Sequence, residues 1–175
     1  MKNKIILIGL IALMMFTLSC TKRIYFTQNL RKNIENKKLD IKKVQFYISN
    51  TVILQRVIPI NEAKIARGEI VFENGNYIDQ IIITKNTPGT CDSFTNDKLF
   101  ISFENDNTVT FHKKNQDSFY KILVNKNIGS YYGIVYDTLI YNVDSKVENT
   151  RLWIKKDEIY RQELNQRVVK GKTVK

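Results

Sequence analysis

Glu69-Ile70-Val71-Phe72-Glu73-Asn74-Gly75-Asn76-Tyr77-Ile78-Asp79-Gln80-Ile81-Ile82-Ile83 is the stretch that decides the fold. Two runs rich in β-branched and aromatic residues meet across Asn74-Gly75. Asn-Gly supplies the positive φ angles of a type I′ turn, whose twist matches that of paired strands, so the stretch predicts a β-hairpin. Outward from it the same texture continues. Upstream, Val44, Phe46 and Ile48 alternate with Gln45, Tyr47 and Ser49, and Val52-Ile53-Leu54 extends the run towards Pro59. That is one strand with a buried face, or two joined at Asn50. Downstream, Thr87-Pro88-Gly89-Thr90 reads as a closing turn and Cys91 as part of a loop. Leu99, Ile101 and Phe103 then share a face, Asn105-Asp106-Asn107 turns the chain, and Val109 and Phe111 face inward.

Phe119 to Val124 is a further strand. Tyr131 to Val143 reads as one long strand with Ile134, Tyr136, Thr138 and Ile140 opposed to Val135, Asp137, Leu139 and Tyr141. Arg151-Leu152-Trp153-Ile154 is expected to return beside it as a hairpin. Helical spacing is clear only after Lys156, where Tyr160, Leu164 and Val168 recur at i, i+4 and i+8. Thr27 is placed to cap a weaker helix carrying Leu30 and Ile34. The expected fold is therefore mainly β, an antiparallel sandwich or small barrel with a short C-terminal helix.

The chain has 175 residues, 43% apolar and 11% aromatic, which excludes a disordered protein. Two cysteines exclude a disulfide framework, and one histidine argues against a His-rich metal site. Its net charge is +11, and the surplus is unevenly placed. Residues 21–45 carry eight basic side chains against Glu35 and Asp40, residues 46–154 carry 11 basic against 12 acidic, and residues 155–175 carry seven against three. The middle is neutral and both ends are basic.

At the N-terminus, Lys2 and Lys4 precede an apolar run from Ile5 to Phe16, followed by Thr17-Leu18-Ser19-Cys20. The run is short for the ~20 residues of a membrane span and reads as a secretory signal. The segment resembles a bacterial lipoprotein signal, with Ser19 as the small residue before the cut and Cys20 as the lipidated residue. Thr17 departs from the aliphatic residue usual three places before that cysteine. The alternatives are an ordinary signal cut after Ser19 or an uncleaved anchor. The remainder, including Thr87-Pro88-Gly89 and Ile101-Ser102-Phe103-Glu104, resembles small β-rich lipoproteins of unknown function from Bacteroidota.

These resemblances imply residues 1–19 as signal peptide, 20–43 as lipidated cysteine and basic tether, 44–156 as β domain, and 157–175 as basic helix and tail. Acylation of Cys20 implies a partner in the lipid membrane, since several acyl chains hold a protein on a bilayer where one binds reversibly. The implied address is the periplasmic face of an outer membrane, with the cell surface or a Gram-positive plasma membrane as alternatives. Lys22, Arg23, Arg31 and Lys32 lie beside the anchor and are candidates for contact with an anionic surface. Export and the lack of a nucleic-acid motif argue against a nucleic-acid partner.

Candidate chemistry is sparse. Cys91 and His112 are the one pair of nucleophile and base. Asp92, Asp97, Glu104 and Asp106 are too loosely spaced for a calcium loop. No cofactor is implied. Tyr131, Tyr132, Tyr136, Tyr141 and Trp153 are concentrated in the last strands, as a partner surface or as cross-strand packing. The leading expectation is a non-enzymatic accessory or scaffold subunit holding an envelope protein partner. The alternatives are a carrier with an apolar ligand in a barrel cavity and a Cys-dependent envelope enzyme.

Overall fold

A computed structural model describes residues 22–59, 69–105, 107–114, 118–128 and 131–164. The hairpin that anchors the sequence reading is present. Strands β4 (Glu69–Glu73) and β5 (Asn76–Ile83) pair with Glu73 opposite Asn76, and Asn74 and Gly75 between them have φ of 49° and 80°. These are the left-handed values a type I′ turn requires.

The hairpin belongs to a six-stranded antiparallel sheet in the order β10-β11-β12-β3-β5-β4. Its other members are β3 (Val52–Ile58), β10 (Asn125–Ile128), β11 (Tyr131–Tyr136) and β12 (Leu139–Val143). A seven-stranded sheet, in the order β1-β13-β2-β6-β7-β8-β9, faces it. Its strands are β1 (Arg23–Tyr25), β2 (Phe46–Ile48), β6 (Pro88–Phe94), β7 (Lys98–Glu104), β8 (Asn107–His112), β9 (Lys121–Ile122) and β13 (Leu152–Lys155). The result is an antiparallel sandwich. One core joins the two sheets: Val52, Leu54, Ile134, Tyr136 and Tyr141 from one meet Phe46, Ile48, Leu99, Ile101 and Phe111 from the other.

The seven-stranded sheet curls until its ends meet. Tyr120 N–H donates to the Phe26 carbonyl (3.2 Å), Leu152 N–H to the Tyr120 carbonyl (3.2 Å) and Ile122 N–H to the Thr150 carbonyl (3.0 Å). Helix α1 (Gln28–Asn36) follows β1, capped by Thr27, whose hydroxyl accepts from Leu30 N–H at 3.2 Å. Ile34 of α1 is in the core, and a short C-terminal helix, α2 (Lys156–Leu164), follows β13. Residues read as a tether are thus part of the domain from Arg23 onward, and the described elements run from Arg23 to Leu164.

Three local expectations are corrected. The stretch 131–143 is a hairpin, turning at Asp137 (φ 56°) with Tyr136 opposite Leu139. A two-residue turn inverts the alternation, so Leu139 and Tyr141 join Ile134 and Tyr136 on the inner face. Strand β13 does not pair with β12. Its inner residues Leu152 and Ile154 lie in the other sheet, reached through a 3₁₀ turn at Ser145–Asn149 that Asp144 caps. Cys91 lies on β6, because the strand starts at Pro88 rather than ending there.

Gly89 is where β6 can least tolerate a side chain. A methyl group there would sit 2.8 Å from Ile101 Cγ2 and 2.8 Å from the Phe103 ring. Gly89→Ala is expected to cost about 1–3 kcal/mol through overpacking, read as a lower urea midpoint at unchanged slope.

Candidate functional site

The residues expected at a membrane surface divide in two. Lys22, Arg23 and Lys32 are exposed. Arg23 stacks 4.7 Å above the Trp153 ring and donates to Asn86 Oδ1 at 3.3 Å. Arg31 is corrected: it is 4% exposed and points inward. Its guanidinium donates to Glu35 Oε1 (2.8 Å), the Thr95 carbonyl (2.6 Å) and Tyr120 Oη (3.0 Å). Tyr120 in turn donates to Gln28 Oε1 at 2.6 Å. A buried cation needs such partners, and here they join α1 to the curled end of the sheet. Cys20 lies outside the described residues.

The aromatic surface is corrected too. Tyr136 and Tyr141 are each 1% exposed. Tyr136 donates to Glu104 Oε1. Tyr141 donates at 3.0 Å to Asp79 Oδ2, a fully buried carboxylate that also pairs with Arg56 at 3.3 Å. Burial, followed by the bond to Asp79, pushes the Tyr141 pKa up. Trp153 is only 6% exposed, stacked on Tyr47 at 4.3 Å and 14°. Tyr132 is half-buried, and the side chain of Tyr131 lies outside the described residues. Alternation and composition do not reveal that the hydroxyls are turned inward to carboxylate partners, the buried Asp79 and the exposed Glu104.

Cys91 and His112 are not brought together. Cys91 is opposite Ile101, which is opposite Val109, so all three share the inner face. His112 follows Phe111, which is buried, and therefore projects from the opposite face. Burial lowers the His112 pKa, with Lys114 adding to the effect. Burial pushes the Cys91 thiol up to about 11, and the thiol donates to the Ser93 carbonyl at 3.3 Å. Among the described residues, no three His, Cys, Asp or Glu side chains form a group able to hold a metal ion. Asp106 lies outside them.

A cavity of about 600 Å³ is an open polar groove lined in part by Gln45, Gly89, Asp92, Ser102 and Glu104. Its polar groups bond the chain's own backbone. Gln45 Nε2 donates to the Gly89 carbonyl (2.8 Å), and Ser102 Oγ to the Glu104 (2.6 Å) and Asn107 (2.9 Å) carbonyls.

The feature missed by sequence reasoning is the outer face of the six-stranded sheet. Val135 is opposite Ile140, Val57 opposite Ile78, and Ile78 opposite Val71. Asn142 faces Gln55, so the same register brings Ile140 beside Val57. One apolar row thus crosses five strands, and Val57 in its middle is 60% exposed. Beside it runs a row of Asn142, Gln55 and Gln80, and then the exposed pair Ile53 and Ile82. The outward side chains described on β11, β12, β3 and β5 include no charged group, although 26% of the chain is charged. A readable signal existed: Val52-Ile53-Leu54 and Ile81-Ile82-Ile83 are apolar on both faces.

No family model, no curated protein and no solved structure matches this chain.

The Cys91 environment has a direct consequence. Folded protein at pH 8 is expected to react with a thiol reagent at Cys91 at least about tenfold more slowly than urea-unfolded protein, because the thiolate is scarce and enclosed. Comparable rates, followed by mass spectrometry, would contradict the buried placement.

Proposed function

We propose that this protein is a lipid-anchored, non-enzymatic accessory subunit of a cell-envelope protein complex. It is held by acyl chains on Cys20 at the periplasmic face of an outer membrane and grips a different envelope protein through the outer face of the six-stranded sheet. The observation that carries this reading is the row Val135, Ile140, Val57, Ile78 and Val71, exposed at its first three members, on a face whose described outward side chains carry no charge until the edge strand β4, where Glu69 and Glu73 flank Val71. Contiguous apolar surface rimmed by polar residues is the usual mark of a protein contact.

Charge selects the class of partner. A membrane surface or a nucleic acid attracts Lys and Arg, and the described outward side chains of the four strands include neither. Two copies of the chain from Cys20 onward, each with a net charge of +9 once Lys2 and Lys4 are removed, repel one another. An uncharged apolar surface on another protein is the remaining match. The carrier reading is less favoured, because the 600 Å³ groove is polar and open while large side chains such as Phe46, Tyr136 and Phe111 fill the space between the sheets. The thiol-enzyme reading is less favoured because Cys91 and His112 project from opposite faces.

Two measurements test this. Mature protein isolated from bacterial membranes is expected to begin at an acylated Cys20, and Cys20→Ser to be released into the aqueous fraction. An unmodified N-terminus would remove the anchor. A photo-crosslinking residue at Ile140 is expected to yield one discrete heterologous adduct in cells. Val57→Glu, at an exposed position with a stability effect within about 0.5 kcal/mol, should abolish that adduct. A dimer adduct, or lipid adducts alone, would overturn the proposed partner.

A further inference from the structure

A second apolar concavity lies between the two helices, where the chain enters the domain. It measures about 380 Å³ and is lined by Ile24, Leu30, Ile34 and Ile159, with Tyr160 at one side. Ile34 is buried, and Ile24, Leu30 and Ile159 are packed against the core. Lys37 and Lys156 also line it, and both are exposed. The groove is therefore amphipathic in a defined sense: its floor is aliphatic and its rim carries two ammonium groups.

Its position matters as much as its lining. Lys156 N–H donates to the Lys22 carbonyl at 2.9 Å, so the N-terminal chain is pinned to the residue at the rim. Cys20 is two residues before Lys22, at most about 7 Å of extended backbone. Lys22 and Arg23, both exposed, flank the same entry. An anchor on Cys20 would keep this end of the domain close to the bilayer.

We propose that the groove between α1 and α2 seats one acyl chain of an anionic membrane phospholipid, with Lys37 and Lys156 holding its phosphate. The aliphatic floor matches a hydrocarbon chain, the two cations match a phosphate beside it, and the tether supplies the lipid surface. The site fixes how the domain stands on the membrane, where an anchor alone would let it swivel. It rests on the proposed anchor only for what brings the groove to a bilayer.

The test uses the chain from Thr21 onward, which contains every described element of the fold. A bimane label is placed on Tyr160→Cys, where the wild-type side chain is exposed, and Cys91 stays buried. Vesicles of phosphatidylcholine with phosphatidylglycerol are expected to shift the emission to the blue, and phosphatidylcholine alone to leave it unchanged. The pair Lys37→Glu and Lys156→Glu is expected to raise the half-saturating lipid concentration about tenfold, and Lys121→Glu with Lys146→Glu, an equal change in charge, less than about twofold. Leu30→Asp should remove the shift.

Equal effects of the two charge-reversal pairs would show attraction by net charge alone and overturn the site. So would an equal shift from a label on Val57→Cys, or co-sedimentation with vesicles without any shift at Tyr160→Cys. A label already blue-shifted in lipid-free buffer would show the groove filled by the protein's own chain, and would overturn it as well. Because Cys20 is absent from this experiment, failure at the groove leaves the anchor standing, and an unacylated Cys20 leaves the groove result standing.

Discussion

Tyr120 holds together the first and last strands described, β1 and β13. Its backbone N–H bonds the Phe26 carbonyl and its carbonyl accepts from Leu152 N–H. Its ring lies 5.5 Å from that of Phe26, and its hydroxyl joins Arg31 to Gln28. A sheet of seven strands with free edges would expose unpaired backbone groups at both sides. Closing it through residue 120 satisfies part of that demand and forces β1, β13 and both helices into one neighbourhood. The position of the N-terminal entry, and so of anything attached to it, follows from that closure.

Arg31 shows how the closure overrides what local sequence suggests. In a basic stretch flanked by Lys32 and Lys37, it reads as one more solvated cation. The α1 register instead aims it inward with Gln28 and Ile34, where an unpartnered guanidinium would be strongly unfavourable. Glu35, one turn along the helix, and the Thr95 carbonyl across the domain remove that penalty. Glu35 is readable as an i, i+4 partner, but the Thr95 carbonyl is not visible from spacing, because Thr95 is 64 residues away in the chain.

The elements legible in sequence were those specified locally. Asn74-Gly75 sets a turn whatever surrounds it, so the β4–β5 hairpin was readable residue by residue. Thr27 as a helix cap and the C-terminal helix were readable for the same reason. Asp137-Thr138 was not, because Asp tolerates positive φ without announcing it, and the missed turn placed Leu139 and Tyr141 on the wrong face. The destination of β13 depended on a 3₁₀ turn that carries the chain between sheets, a choice made by burial of Leu152 and Ile154. Of the candidate site, the exposed basic entry was legible. The outer sheet face was missed although Val52-Ile53-Leu54 and Ile81-Ile82-Ile83 carry its signal, since period-two reasoning assigns one face to the core and passes over a second apolar one.

That second face constrains the function more than any single side chain. A monomer gains nothing from exposed Val57 and Ile140, and an uncovered apolar sheet face is an aggregation hazard. Charges elsewhere on the chain show that its composition did not compel the arrangement. The groove at the helices and the apolar row belong to different layers of the sandwich: one beside β1 and β13, the other on β11, β12, β3, β5 and β4. With lipid engaged at the first, the second is left clear of the bilayer for a protein. On the proposed reading, basic residues near the entry and their absence from the described outward side chains of the central strands are two aspects of one division of labour, in which charge would mark the membrane side and its absence the side open to a partner.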